Sequence, residues 1–151
     1  MWTYDYSAES TARPDRIFDL FRDVTTWPHW NPGVEWMELD GPFAAGTTGT
    51  TGTTGTMKVP GQDPLRMRLV WVEDDLGFED ETEIPGAGVA VRVRHALKDV
   101  GEGLTRITYE VTIDGPAAGD LGPTIGPEIT ADFPAVVAAL ISQAEAATSL
   151  R

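Results

Sequence analysis

The sequence predicts an α+β fold, in which a curved antiparallel sheet of about seven strands wraps around a long C-terminal helix. From Gly126 to Ala147, apolar residues recur at spacings of three and four, which is typical of an amphipathic helix. These residues are Ile129, Phe133, Val136, Val137, Leu140, Ile141 and Ala144. From about Val34 to Ile113, the chain instead has short runs of two-residue alternation separated by Gly, Pro and Asp. The simplest packing places the concave face of the sheet on the helix stripe, with function expected between the two.

A first strand and two short helices are predicted before the main group of strands. Aromatic and polar residues alternate from Trp2 to Ser7, which indicates a strand. Pro14 suits the first turn of a helix, and its apolar face consists of Ile17, Leu20, Phe21 and Val24. The proline-rich segment 23–32 predicts a short helical turn, which Trp27 and Trp30 would anchor to the body of the protein.

Six further strands are predicted before the C-terminal helix. The clearer five are Val34–Leu39, Leu65–Glu73, Phe78–Ile84, Val89–Leu97 and Thr105–Ile113. The sixth falls in Gly46–Thr56, a run of Gly-Thr-Thr triplets. Glycine at every third position is incompatible with the two-residue alternation of a strand, and it weakens strand pairing. We therefore expect an edge strand with a loose or protruding loop at this repeat.

Pro134 interrupts the predicted C-terminal helix, because a proline inside a helix removes a backbone hydrogen bond and clashes with the preceding turn. Two arrangements accommodate it. The favoured one is a kinked, nearly continuous helix. In the other, Asp132 caps a second helix whose first turn contains the proline.

Composition narrows the class of protein. The chain has 151 residues, which predicts a single domain spanning residues 1–151. Its 11 basic and 24 acidic residues give a net charge of −13, which disfavours binding to nucleic acid or to an anionic membrane. The chain has no cysteine, and its start lacks the basic and apolar regions of a signal peptide, so we expect a cytoplasmic protein. The oligomeric state stays open.

The predicted elements and several motifs of the chain together resemble a known family. The order of strand, two short helices, six strands and long helix is similar to the START-like helix-grip superfamily, in particular its polyketide cyclase/dehydrase branch. The resemblance is carried by the segment Pro14–Phe21 with Asp23, Trp27 and Trp30, by Gly41-Pro42 with Gly46, by 103–108 and by 134–145. It implies a helix-grip fold with a pocket between sheet and helix, and it leaves the activity open.

Hairpin geometry predicts which side chains point into that pocket. If Ile84 faces Val89 across the turn between them, Phe78 faces His95 and Asp80 faces Val93. The same counting across the next turn sets His95 opposite Tyr109. His95, Tyr109 and Asp80 would then share the apolar concave face. They are candidate acid–base residues, or a set that orients a ligand, or a polar group satisfied within the core.

The remaining pocket residues are predicted from the apolar faces of the elements. Leu65–Glu73 alternates so that Leu65, Met67, Leu69 and Trp71 share one face. The predicted ligand-binding residues are Trp30, Met67, Leu69, Trp71, Phe78, Val91, Val93, Val111, Phe133, Val137 and Leu140. Two histidines and no cysteine give no convincing metal site, and no cofactor is expected. The sequence thus predicts a binding protein for a hydrophobic, lipid-like or polyketide-like small molecule. The alternative is a polyketide cyclase/dehydrase-type enzyme that uses His95 with Tyr109 or Asp80.

Overall fold

Seven antiparallel strands form one sheet, and two short helices follow its first strand. The structure is a computed structural model that describes residues 1–46 and 52–149. The strands are β1 (Trp2–Ser10), β2 (Trp36–Leu39), β3 (Thr54–Lys58), β4 (Leu65–Glu73), β5 (Gly77–Ile84), β6 (Val89–Gly101) and β7 (Leu104–Asp114). Their order across the sheet is β1-β7-β6-β5-β4-β3-β2. The short helices are α1 (Pro14–Arg22) and α2 (Trp27–Trp30), with a 3₁₀ turn, Val24–Thr26, between them. The predicted fold class is confirmed.

The threonine–glycine repeat enters the sheet differently from the prediction. Its last residues begin β3, which lies between β2 and β4, so the edge strand on this side is β2. Glycine is needed here because the strands approach closely. A Cβ atom on Gly55 would lie 2.7 Å from the carbonyl oxygen of Glu38. The predicted edge strand is therefore wrong, and most of the predicted loop falls on residues 47–51, outside the described residues.

A β-bulge in β4 changes which side chains face the core. Leu69 pairs with Asp80 and Trp71 pairs with Glu79, so β4 holds one extra residue between these two pairs. A bulge of this kind reverses the alternation beyond it. Trp71 consequently lies on the outer face, where the guanidinium carbon of Arg94 lies 4.3 Å from its ring centre. The inward position predicted for Trp71 is wrong.

The outer face of the central strands carries ion pairs between neighbouring strands. Arg94 Nε lies 2.8 Å from Glu79, and Arg92 Nε lies 2.6 Å from Glu81, which also pairs with Arg68 at 2.9 Å. The arginines of β4 and β6 are therefore held on the side of the sheet away from the helices, as the alternation predicts.

The C-terminal helical segment is longer than predicted and is interrupted. Helix α3 spans Ala118–Thr130 and helix α4 spans Phe133–Ser149, so the first helix begins well before Gly126. The carbonyl of Asp132 accepts a hydrogen bond from the Val136 amide at 2.8 Å, within the first turn of α4. Two helices with Pro134 in the first turn of the second match the second of the two predicted arrangements; the cap by Asp132 stays a prediction. The interruption is short, because Ala131 keeps helical backbone angles of φ −57° and ψ −32°.

Trp2 explains why α3 forms despite its glycines. The tryptophan side chain lies on the helix at Gly122 and Gly126, where an added Cβ would come within 2.6 Å of it. Pro123 and Pro127 lie on the exposed side of the same helix. Close packing of an aromatic ring on two glycines thus fixes α3 against the first strand, which the helical periodicity of the sequence does not indicate.

Helix α4 supplies the centre of the core. Phe133, Val136, Val137 and Leu140 are all buried beneath the concave face of the sheet. By length and composition alone, residues 118–146 would suffice to cross a membrane, but a core helix passes the same test.

Candidate functional site

A cavity of about 390 Å³ lies between the concave face of the sheet, α2 and the junction of α3 and α4. Its floor comes from β5, β6 and β7, and its rim comes from the loops around β2 to β4 and from the helices. Aromatic and aliphatic side chains make up most of the wall. The lining residues are Trp27, Trp30, Asn31, Gly33, Val34, Met57, Val59, Gln62, Leu65, Phe78, Asp80, Thr82, Ile84, Val91, Val93, His95, Tyr109, Glu128, Ile129, Asp132, Phe133 and Val136.

The predicted register of the floor strands is confirmed. Phe78 pairs with His95, Asp80 pairs with Val93, and His95 pairs with Tyr109. These side chains share the inner face because paired residues of antiparallel strands point to the same side. The three predicted acid–base candidates therefore line one cavity, with Asp80 diagonal to His95.

His95 is held between aromatic rings. Its imidazole stacks on Phe78 with ring centres 4.0 Å apart, and the ring of Tyr109 meets it edge-on at 4.5 Å. Nδ1 lies 3.4 Å from the carbonyl oxygen of Phe78, which can only accept a hydrogen bond, so this contact favours the proton on Nδ1. Burial lowers the pKa of His95 to about 3, although backbone hydrogen bonds oppose the shift. The ring is therefore neutral at pH 7.

Tyr109 carries a buried hydroxyl group without a partner. The residue is 2% exposed, and within the described part of the chain its hydroxyl makes no hydrogen bond. Burial, and then the nearby negative charge of Asp80, raise the pKa of Tyr109 far above its ordinary value. The hydroxyl thus stays protonated and is free to donate or accept a hydrogen bond within the cavity.

Asp80 is the group in the cavity whose charge changes near neutral pH. It is half-buried. Burial, followed by the charge of Glu79, raises the pKa of its carboxyl to about 7. Residues 1–46 and 52–149 offer this carboxyl no hydrogen bond and no ion pair. Both its protonated and its ionised forms are therefore populated at pH 7.

The structure divides the predicted ligand-binding residues into three groups. The residues that line the cavity are Trp30, Phe78, Val91, Val93 and Phe133. The residues that are buried in the core and do not line it are Met67, Leu69, Val111, Val137 and Leu140. Trp71 stands apart on the outer face, as a result of the bulge in β4. The floor of the cavity is thus formed mainly by β5 and β6.

Four polar residues at the rim of the cavity are absent from the predicted site. Asn31 and Gln62 come from loops, and Glu128 and Asp132 come from the end of α3 and the turn after it. The spacing of Glu128 and Asp132 could have indicated two of them. These residues are four apart, so they lie on the same side of a helix, next to the apolar stripe at Ile129. The loop residues carry no comparable pattern.

The charges that line the cavity are of one sign. Asp80 lies on the floor, Glu128 and Asp132 lie at the rim, and the described lining contains no lysine or arginine. In the described part of the chain, no three histidine, aspartate or glutamate residues come close enough together to hold a metal ion.

The fold and the position of the cavity define a class of protein. A curved seven-stranded sheet closed by a C-terminal helix, with a cavity between them, is the helix-grip fold of the START-like superfamily. Residues 1–145 match the family described as polyketide cyclase/dehydrase and lipid transport. The chain belongs to this family. No curated protein matches the chain significantly.

Solved structures with the same fold are distant in sequence. A START superfamily protein from Mycobacterium smegmatis is 15% identical with a TM-score of 0.67, covering 95% of this chain and 97% of its own. A point mutant of norcoclaurine synthase from Thalictrum flavum, in complex with a transition-state analogue, is 17% identical with a TM-score of 0.71 (97% and 95% covered). The di-domain aromatase/cyclase BexL is 14% identical with a TM-score of 0.74, with 96% of this chain and 47% of that chain covered. At these identities the likeness concerns the fold alone.

Proposed function

We propose that the protein binds a hydrophobic small molecule in the cavity between the sheet and the C-terminal helices. The observation that carries the proposal is the cavity itself. Its volume of about 390 Å³ lies within the range of small-molecule sites, and a mostly apolar wall with a few polar groups is typical of them. The aromatic rings of Trp27, Trp30, Phe78 and Phe133 offer flat surfaces for an apolar ligand.

A variant that fills the cavity tests the proposal. Val93 lines the cavity from β6, so Val93→Phe places a larger side chain in the space a ligand would use. We expect the affinity for the neutral fluorescent probe N-phenyl-1-naphthylamine to fall by roughly tenfold or more, which corresponds to about 1.4 kcal/mol of lost contacts. The measurement is a fluorescence titration.

Val100→Phe is the matched control, because Val100 lies on the same strand but does not line the cavity. It should bind the probe as the wild type does. Absence of probe binding by the wild-type protein, or equal affinities for wild type and Val93→Phe, would contradict binding in this cavity.

A second candidate function is catalysis of the polyketide cyclase/dehydrase type. The observation that favours it is an Asp80 carboxyl with a pKa of about 7 in the same cavity as the unpartnered hydroxyl of Tyr109. A group with a pKa near the working pH exchanges protons most effectively. Asp80 would then move the proton and Tyr109 would donate a hydrogen bond to a substrate carbonyl. With a pKa of about 3, His95 is too weak a base for this step and would position the substrate instead.

Turnover of a poly-β-ketone thioester distinguishes the two functions. If the protein is an enzyme, Asp80→Asn should lower kcat by roughly 100-fold or more, because acid–base groups contribute that much. Binding of N-phenyl-1-naphthylamine should persist in the same variant. Unchanged turnover in Asp80→Asn would remove this aspartate from the reaction.

A further inference from the structure

We propose that the ligand of this cavity carries a basic nitrogen, protonated at neutral pH, and that this cationic group lies against the carboxylate of Asp80. The inference rests on the proposed function, since it names the chemical class of the hydrophobic molecule that the cavity takes up. The proposed ligand therefore bears an amine and differs in charge from a fatty acid, a phosphate ester or another anionic lipid.

The charged side chains that line the cavity are all acidic. The charged residues of the lining are Asp80, Glu128 and Asp132, and none of the described lining residues is a lysine or arginine. The arginines of the neighbouring strands lie on the outer face and are paired with Glu79 and Glu81. An anionic headgroup would enter without a counter-charge and would meet three carboxylates, which is costly in a partly dehydrated site. An ammonium group would meet complementary charges from the rim to the floor.

Two polar side chains on the floor of the cavity lack partners within the described part of the chain. The hydroxyl of Tyr109, a residue only 2% exposed, makes no hydrogen bond within the described residues. The carboxyl of Asp80 is half-buried in the lining of the same cavity and is likewise without a hydrogen bond or ion pair there. Buried polar groups without partners are costly. A protonated amine carries N–H donors, and a carboxylate oxygen and a hydroxyl oxygen both accept hydrogen bonds from such donors.

The aromatic walls fit a cation as well as an apolar body. Trp30, Phe78 and Tyr109 all line the cavity, and aromatic faces attract an ammonium group, more strongly when it is dehydrated. The stacked rings of Phe78 and His95 form a flat surface on the same floor as Asp80. The lining thus combines an apolar surface with a single buried anion, which suits an amine attached to an aromatic or aliphatic body.

The titratable groups around Asp80 supply no positive charge. His95 on β6 is neutral, Tyr109 on β7 is a protonated phenol, and Glu79, Glu128 and Asp132 are acids. A bound cation would therefore favour the ionised form of Asp80, whose pKa in the free protein is about 7. Below that pH, binding of an amine should release a proton from the carboxyl.

Three ligands with one apolar body test the inference: 2-(1-naphthyl)ethylamine, 2-(1-naphthyl)ethanol and 1-naphthylacetate. Calorimetric titration of the wild-type protein at pH 8 should show the amine binding roughly tenfold or more tightly than the alcohol, as expected for a hydrogen-bonded buried charge. The carboxylate should bind more weakly than the alcohol. The amine preference should persist at about 0.5 M salt, which screens the attraction of an acidic surface.

Asp80→Asn should remove the preference for the amine, so that the amine and the alcohol bind this variant with similar affinities. Asp120→Asn is the matched control, because Asp120 is an exposed aspartate of α3 outside the lining. At pH 6 the wild type should release a proton when it binds the amine, detected by titration in buffers of different ionisation enthalpy. That release should be absent in Asp80→Asn.

The outcomes separate this inference from the proposed function. If none of the three ligands binds, hydrophobic binding itself fails. If the alcohol binds as tightly as the amine, or the carboxylate binds best, the cationic ligand is overturned while hydrophobic binding stands. If the amine preference survives in Asp80→Asn, the placement of the cation at Asp80 is overturned. The wild-type comparison requires no variant, so it holds even if a substitution disturbs folding.

Discussion

Asp80→Asn and His95→Gln are expected to change the pH dependence of stability in opposite directions. The pKa of His95 is about 3 in the folded protein, against an ordinary value of 6.5. Between these values the unfolded chain binds a proton that the folded protein does not. The contribution of His95 to stability is therefore complete above pH 6.5 and is lost as the pH falls toward 3, by about 1.4 kcal/mol per pH unit.

Asp80 has the opposite effect. Its pKa is about 7 when folded, against an ordinary value of 3.8, so the folded protein keeps a proton that the unfolded chain loses. Its contribution is complete below pH 3.8 and is lost as the pH rises through 7. From about pH 4 to 6.5 the two effects nearly cancel in the wild type. Each single variant removes one of them.

The measurement is the free energy of unfolding in urea from pH 4 to 8 for wild type and variants. Relative to the wild type, Asp80→Asn should gain about 4 kcal/mol as the pH rises across this window. His95→Gln should lose about 3 kcal/mol between pH 4 and 6.5. Asp120→Asn is the matched control, because Asp120 is an exposed aspartate outside the lining of the cavity. Curves for all three variants parallel to the wild type would show that Asp80 and His95 titrate as solvated groups.

Leu140→Ala is expected to lower the free energy of unfolding by about 2–5 kcal/mol. Leu140 is 0% exposed and lies at the centre of the α4 face that packs on the sheet. Truncation removes the buried methyl groups and leaves a cavity that the rigid sheet cannot fill. Urea denaturation followed by circular dichroism measures the change.

Leu76→Ala is the control for this prediction, because Leu76 is 46% exposed in the turn between β4 and β5. Its effect should stay within about 0.5 kcal/mol. A loss for Leu140→Ala as small as that of the control would mean that this face of α4 is not in the core.

The floor of the cavity was predictable because its strands are joined by short turns. Counting outward from the turn at 85–88 places His95 against Phe78, and counting from Val100 opposite Leu104 places it against Tyr109. The structure pairs Gly101 with Leu104 instead, and a bulge between Asp99 and Gly101 restores the predicted register at His95. Alternation then decides which face is apolar and hence inward. No long-range information is needed, since each pairing follows from its neighbour along the chain.

The errors in the prediction arose where contacts distant in sequence decide the structure. The bulge that turns Trp71 outward lies where Gly52 approaches β4. A Cβ atom added to Gly52 would lie 1.8 Å from the carbonyl oxygen of Leu69. Helix α3, which begins at Ala118, packs its Gly122 and Gly126 on the side chain of Trp2. Neither contact leaves a periodic signal in the local sequence.

The sequence by itself determined the order of the elements, the inner and outer faces of β5, β6 and β7, and the amphipathic face of α4. These follow from periodicity and short turns, which act over a few residues. Only the tertiary structure decided that β3 is an inner strand, that Trp71 faces outward, and that Glu128 and Asp132 border the cavity. It also left the Tyr109 hydroxyl and the Asp80 carboxyl together without partners, because such pairing depends on which distant segments pack over the same face.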